Sequence, residues 1–346
     1  MATRMMLVDT ATQQIDDADA SALATLLDAR DLLVVNDAAT LPASLQAFFG
    51  EHPVEVRLLE GPYRETTRAV LLGAGDYHVD TDHREPPPRV GVGDRLRLGS
   101  TSLEVSAVSA LSPRLVELRW PGTLAERFAL LYRAGRPVQY RYVEQPLALW
   151  DVQTSFAARP WAVEMPSAAR PLDGALLTAL MKRGVTIARL THAAGLSSTG
   201  DPRIDRALPL PERYEIPNAT LQALATTRGR VVAVGTSVVR ALEEYARTGQ
   251  RAGMATLVLD EHTRPRIVSG LLTGIHMPGE SHYRLLSAFT RQDTLALAAQ
   301  RAARDGYRLH EFGDAALFLP NLATSARRAA QSSRSGCSLT MRSYSG

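Results

Sequence analysis

VVAVGTSVVRALEE, residues 231–244, decides the fold class. Four apolar residues run straight into Gly235, Thr236 and Ser237. A helical pattern follows, with Val238, Val239 and Leu242 on one side and Arg240, Glu243 and Glu244 on the expected wet side, ending at Gly249. That reads as strand, tight turn and helix start. Glycine lets a backbone approach a ligand, and the free amides of a helix start favour a carboxylate or phosphate. The same turn also fits Thr236 or Ser237 acting only as a helix cap.

Outward from this unit the alternation continues. Strands are expected at 5–8, 32–35, 186–190, 256–259, 267–272 and 315–319, and helices at 20–29, 172–183, 221–227, 281–288 and 293–305. Between them, residues 54–120 change period: VEVRL, RAVLL, RLRLG, LEVSAV and LVELRW alternate apolar and polar residues. Turn signals separate these runs, with Pro86, Pro87 and Pro88 in one loop. The pattern predicts an α/β protein. Its mostly parallel sheet, or barrel-like α/β domain, covers 1–49 and 137–323, and a small antiparallel β-barrel is inserted at 50–136. Residues 324–346 are polar and are expected to be disordered.

A chain of 346 residues, 45% hydrophobic and 22% charged, has the composition of a soluble globular protein. No apolar run approaches the ~20 residues of a membrane span. MATRMMLVDT has no signal-peptide core, so a cytoplasmic location is expected. The pI of about 9.2 invites a nucleic-acid reading. Against it, net charge is only +3, acids are interleaved with bases, and Lys182 is the one lysine among 39 basic residues. That skew to arginine resembles GC-rich codon usage. Cys337 is the single cysteine, which excludes disulfides within the chain and thiolate metal sites. No HExxH, GxSxG or Walker motif is present, and nothing in the sequence calls for a metal.

The polar residues with chemical potential fall near strand ends. His276 lies in GLLTGIHMPGESHYRLLSAF, between a strand and a helix that Glu280 and Ser281 can cap, where open α/β sheets bind ligands. An imidazole there can take or give a proton. His192 follows the strand TIARL in a similar position. Arg240 and Glu243 lie three apart on one helix face; they can pair with each other, or Arg240 can grip a carboxylate. Asp314 either turns the chain or faces a ligand. Glu164 interrupts an apolar run in WAVEMP, and an unpartnered buried carboxylate is costly.

DLLVVNDAATLPASL, VQTSFAARPWAVEMPSA, VVAVGTSVVRALE, LLTGIHMPGESHYRLLSAF and YRLHEFGDAALFL, in this order, resemble the S-adenosylmethionine:tRNA ribosyltransferase-isomerase family of queuosine biosynthesis. They cover most of the chain, and the inserted barrel falls where that family has one. The resemblance implies S-adenosylmethionine as substrate, no metal, and tRNA as the usual partner. It implies that a base removes a proton beside the sulfonium, after which the ribose opens with loss of adenine and methionine. His276 is the first choice for that base and His192 the second. Gly235, Thr236, Ser237 and Arg240 suit the substrate's anionic group. Asp314 or Glu243 suit ribose hydroxyls or an ammonium, and Thr273 and Glu164 join the S-adenosylmethionine contacts.

The chain departs from that family's pattern. Asn36, Asp37, Ala38 and Ala39 replace an asparagine pair followed by Thr-Arg, Ser44 replaces a second arginine, and Arg170 and Pro171 stand where the family has Leu-His. Glu212 alone represents a Met-His-Ser-Glu element. Losing several arginines and histidines weakens a tRNA site, and Glu164, Glu280 and Arg170 suggest a remodelled pocket. The expectation is therefore a diverged enzyme acting on a small-molecule acceptor, or closing a carbocycle within its own substrate. The tRNA reaction comes second, and a non-catalytic scaffold third. The sequence does not fix the oligomeric state.

Overall fold

A computed structural model describes residues 3–322. The residues expected to form a disordered tail lie outside this range. One sheet has nine strands, with the central four (Thr186–His192, Leu32–Asn36, Val231–Val234 and Gly270–Gly274) all parallel. Leu32–Asn36, Val231–Val234 and Gly270–Gly274 are almost wholly apolar, as burial on both faces demands, whereas Thr186–His192 exposes Thr186 and Arg189. Leu32 and Val34 pack with Val238, Val239 and Leu242 of helix Thr236–Thr248 and with helices Ser281–Leu286 and Gln292–Arg304. Leu33 and Val35 face the opposite layer, which contains Leu23, Leu27 and helix Gly174–Lys182.

The parallel order ends at both flanks. Glu212–Glu215 and Ala252–Ala255 add antiparallel strands on one side. On the other, Ala315–Leu319 runs antiparallel to Gly270–Gly274 and parallel to Arg4–Asp9. The edge strand Ile15–Asp19 stands where the sequence suggested part of a connecting loop, and the helix expected at 20–29 is short, Leu23–Leu26 after a 3₁₀ turn.

The alternating segment forms a second, antiparallel sheet. Ser44–Phe49 pairs with both His52–Leu58 and Arg95–Leu98, so six strands close on themselves around Leu45, Val54, Val56, Leu71, Leu103 and Leu118. This sheet begins before residue 50, because Ser44–Phe49 has the same two-residue alternation as the strands after it.

Two expectations near helix Thr236–Thr248 need correction. Residues 256–259 and 267–269 are not strand; Ala252–Ala255 and Gly270–Gly274 are. The supposed wet face is buried: Arg240, Glu243 and Glu244 are 3%, 4% and 3% exposed. Both follow from one cause. Glu244 accepts from the amides of Thr256 and Leu257, and Glu243 from those of Arg266, Ile267 and Val268. These carboxylates satisfy the loop backbone where a neighbouring strand would otherwise do so.

At the carboxyl end of the central strands the side chain of Asn36 is fully buried. Its amide nitrogen donates to the His192 carbonyl at 2.9 Å and to Ser237 Oγ at 3.3 Å, and its oxygen accepts from His192 N and Ala38 N, both at 3.0 Å. One side chain thus joins three strand ends. Asn36→Ala strands buried backbone groups, and urea unfolding is expected to show a loss of about 1–3 kcal/mol; unchanged stability would show that these bonds hold nothing together.

Candidate active site

A cleft of about 720 Å³ opens along the carboxyl edge of the central strands. Gly235 begins one wall. Its φ of +97° is a left-handed conformation that favours glycine, and it is the residue before helix Thr236–Thr248. No side chain caps that helix, so neither Thr236 nor Ser237 serves as its cap; both line the cleft. Thr273 and Gly274 end the adjacent strand, and His276 follows in the loop. Glu164 enters from the segment after strand Arg159–Ala162.

His276 lies between two polar side chains. Its Nδ1 is 3.2 Å from Glu280 Oε2 and its Nε2 is 3.1 Å from Thr273 Oγ1. Its ring also stacks on His282, with centroids 4.8 Å apart. Burial works to raise the Glu280 carboxyl, but the hydrogen bond and charge of His276 outweigh it and hold Glu280 below the usual carboxylate range. With a proton on Nδ1 directed at this carboxylate, Nε2 is the acceptor nitrogen, facing the Thr273 hydroxyl on the cleft wall.

Glu164 accepts from the Tyr140 hydroxyl and from Ser197 N at 2.9 Å. Burial raises the pKa of both groups. Glu212 is the floor. Its carboxylate accepts from Arg240 and from Gly195 N at 2.6 Å, and a Cβ on Gly195 would lie 2.5 Å from Glu212 Oε1. Glycine is therefore required at this approach.

The remaining wall is aromatic and acidic. Tyr142 stacks on His310, with centroids 4.0 Å apart and planes 8° from parallel. His310 has φ +68°, an uncommon conformation for a side-chain-bearing residue, held by Gly313 N donating to its carbonyl at 3.0 Å. Glu311 follows, and burial pushes its carboxyl up to about 7. Asp80 and Asp82 reach the cleft from the inserted sheet's long loop.

Gly235, Thr236, Ser237, Arg240, Thr273, His276 and Glu164 thus meet in one cleft. Three other candidates do not. His192 is 0% exposed beneath the floor; its ring nitrogens have no hydrogen-bond partner, Nε2 lies 3.6 Å from Glu212, and burial lowers its pKa to about 3. Glu243 is occupied by three loop amides and does not pair with Arg240. Asp314 turns the chain: its carboxylate accepts from Arg4 N, Arg308 N and the Arg308 guanidinium. Arg240 lines the cleft but has no fork free for a ligand carboxylate, since it also donates to the carbonyls of Leu257, Leu210 and Ala255.

Sequence reasoning missed Tyr140, Tyr142, His310 and Glu311 as cleft residues; it read Glu280 as a cap and as part of a remodelled pocket, but not as the partner of His276. The adjacent His310 and Glu311 just before an apolar strand were the available signal for two of them. Among the described residues, no group of three or more His, Cys, Asp or Glu is placed to hold a metal, and no helix is long and apolar enough to cross a membrane.

Residues 1–318 match the family model described as queuosine biosynthesis protein. The chain is 30% identical to the S-adenosylmethionine:tRNA ribosyltransferase-isomerase of Rubrobacter xylanophilus, over 92% of this chain and 91% of the relative. It is 32% identical to the protein of that name from Burkholderia pseudomallei, over 88% of each chain, and 32% identical to that from Thiobacillus denitrificans, over 91% and 90%. A crystal structure of S-adenosylmethionine tRNA ribosyltransferase from Thermotoga maritima aligns over 92% of this chain and 93% of its own, with 23% identity and a TM-score of 0.49. A match that spans nearly the whole described chain places it: this protein belongs to the queuosine biosynthesis protein family.

Proposed function

We propose that this chain is an S-adenosylmethionine-consuming enzyme of the transferase–isomerase type, and that its acceptor is a small molecule or a carbon of the same substrate. The observation that carries this reading is the His276–Glu280 pair at the rim of an acidic cleft. The sulfonium acidifies the C5′ protons of the ribose. His276 Nε2 takes one, and Glu280 stabilises the imidazolium that forms. The electron pair left on C5′ breaks the C4′–O4′ bond. The freed oxygen becomes a carbonyl at C1′ as adenine departs and picks up a proton. A nucleophile then adds at C4′, the C5′ carbanion this leaves takes a proton back from the His276 imidazolium, and a ribosyl hydroxyl that gives up its proton displaces methionine from C5′ as a new ring closes.

Cleft charge supports a small cationic substrate. Arg141 pairs with Asp80 at 2.8 Å and Arg240 with Glu212, so those charges offset each other; Glu164, Glu280, Glu311 and Asp82 remain without an arginine partner among the described residues, with burial raising the pKa of Glu164 and Glu311. Acidic walls concentrate a sulfonium and repel a phosphate backbone. The second reading, ribosyl transfer to a tRNA base, is favoured by the names of the relatives. A cytoplasmic location suits either substrate and belongs to this proposal.

Incubation with S-adenosylmethionine alone is expected to release adenine, read by chromatography. The rate should be unaffected by added tRNA and should change little between 50 and 200 mM salt, where a tRNA-dependent reaction would fall by about 10³-fold or more. Adenine that appears only when tRNA is supplied would establish the second reading instead. His276→Ala should slow release by about 10²–10⁴-fold with the melting temperature retained. Full activity in that variant would remove His276 from the reaction.

A further inference from the structure

Beside the main cleft lies a side pocket of about 140 Å³, sharing Thr273, Gly274, His310 and Glu311 with it. At about 30 Å³ per water it holds the equivalent of four or five waters, the size of an aminocarboxylate group. Two arginines line it. Arg308 is already paired, donating to Asp314 at 3.0 Å. Arg170 is not: its guanidinium stacks 4.4 Å over the Phe312 ring and donates to the Glu311 carbonyl at 3.3 Å, and no acidic side chain among the described residues forms an ion pair with it. Partial burial, then the charge of Arg308, lowers its pKa. A bound anion would relieve both effects.

A buried acid lies in the same pocket. Glu311 Oε2 is buried and accepts no hydrogen bond, and burial pushes its carboxyl up to about 7. A buried carboxyl oxygen with no donor is costly unless a ligand supplies one. Arg170 and Glu311 are close enough for the one to donate to the other's backbone, yet their side chains do not pair. A pocket that offers one free cation and one free acid, with the Phe312 ring as an apolar wall, matches a zwitterion on a short aliphatic chain.

We infer that this side pocket is the subsite for the α-amino-acid end of the substrate, with Arg170 gripping the carboxylate and Glu311 receiving the ammonium. The inference rests on the reading of the main cleft as an S-adenosylmethionine site. It assigns to Arg170 the role that the sequence suggested for Arg240, whose donors are spent on Glu212 and four carbonyls. It also orients the substrate: the amino-acid end lies toward Phe312, which leaves the nucleoside end for the cleft between His276 and Glu164.

Calorimetric titration of the full chain with S-adenosylhomocysteine and with 5′-methylthioadenosine tests this. Both are thioethers without the acidified carbon, so neither is consumed, and only the first carries the amino-acid end. The wild-type chain should bind S-adenosylhomocysteine at least about tenfold more tightly. Arg170→Ala should bring the ratio near one by weakening S-adenosylhomocysteine alone, with methylthioadenosine affinity and melting temperature unchanged. Arg170→Lys should restore only part of the ratio, since a point charge cannot reproduce the guanidinium fork. Glu311→Gln should likewise weaken S-adenosylhomocysteine selectively. Equal wild-type affinities, or a ratio that survives Arg170→Ala, would overturn the subsite while leaving the cleft assignment standing. Failure of both thioethers to bind would overturn the cleft assignment, and the subsite with it.

Discussion

A buried arginine needs an acid and a buried glutamate needs donors, and helix Thr236–Thr248 carries one arginine and two glutamates on its inner face. Meeting that need shapes the neighbourhood. Arg240 draws in Glu212 and the carbonyls of residues 210, 255 and 257. Glu243 and Glu244 bind the amides of 256–257 and 266–268. The long connection between Ala252–Ala255 and Gly270–Gly274 is consequently fixed without being strand. Glu212 in turn fixes Gly195, and with it the loop after strand Thr186–His192. The cleft floor is therefore a by-product of ion pairing behind it. Removing one partner of such a pair is far more damaging than replacing both, because the survivor stays buried and uncompensated.

The same logic separates residues that face a ligand from residues that only resemble such residues. Arg240, Glu243, His192 and Asp314 all sit near strand ends. Arg240, Glu243 and Asp314 have spent their hydrogen-bonding capacity within the protein, and His192 is sealed off. Glu280, Arg170 and Glu311 retain unused capacity beside open space, and His276 hydrogen-bonds to two side chains that line the same cleft. Proximity to the carboxyl edge of a sheet is thus necessary for a site here but does not identify its members.

The fold was largely legible. Residues 231–249 announced strand, turn and helix, and the change to two-residue alternation marked the inserted sheet. What escaped were features whose cause lies far off in sequence. The buried face of helix Thr236–Thr248 looked solvated because, apart from the local Arg247–Glu244 pair, the partners of its charged groups lie 12 or more positions away. The strand expected at 256–259 has strand-like residues, but the amides of Thr256 and Leu257 donate to a helix carboxylate and not to a neighbouring strand. The site was half legible: His276, Thr273, Glu164 and the glycine turn come from segments with local signals, whereas Tyr142 and His310 become cleft residues only because the chain leaving the barrel meets the loop before the last strand.

That meeting has a geometric consequence. Two rings packed 4.0 Å apart and nearly parallel form a roof over the cleft that is one contact thick. A flat heterocycle sliding between them would exchange a single stacking contact for two, while a bulky saturated group would break the contact and replace it with nothing. The thickness of a guest, before any hydrogen bond is made, would therefore decide whether it could be accommodated between those rings.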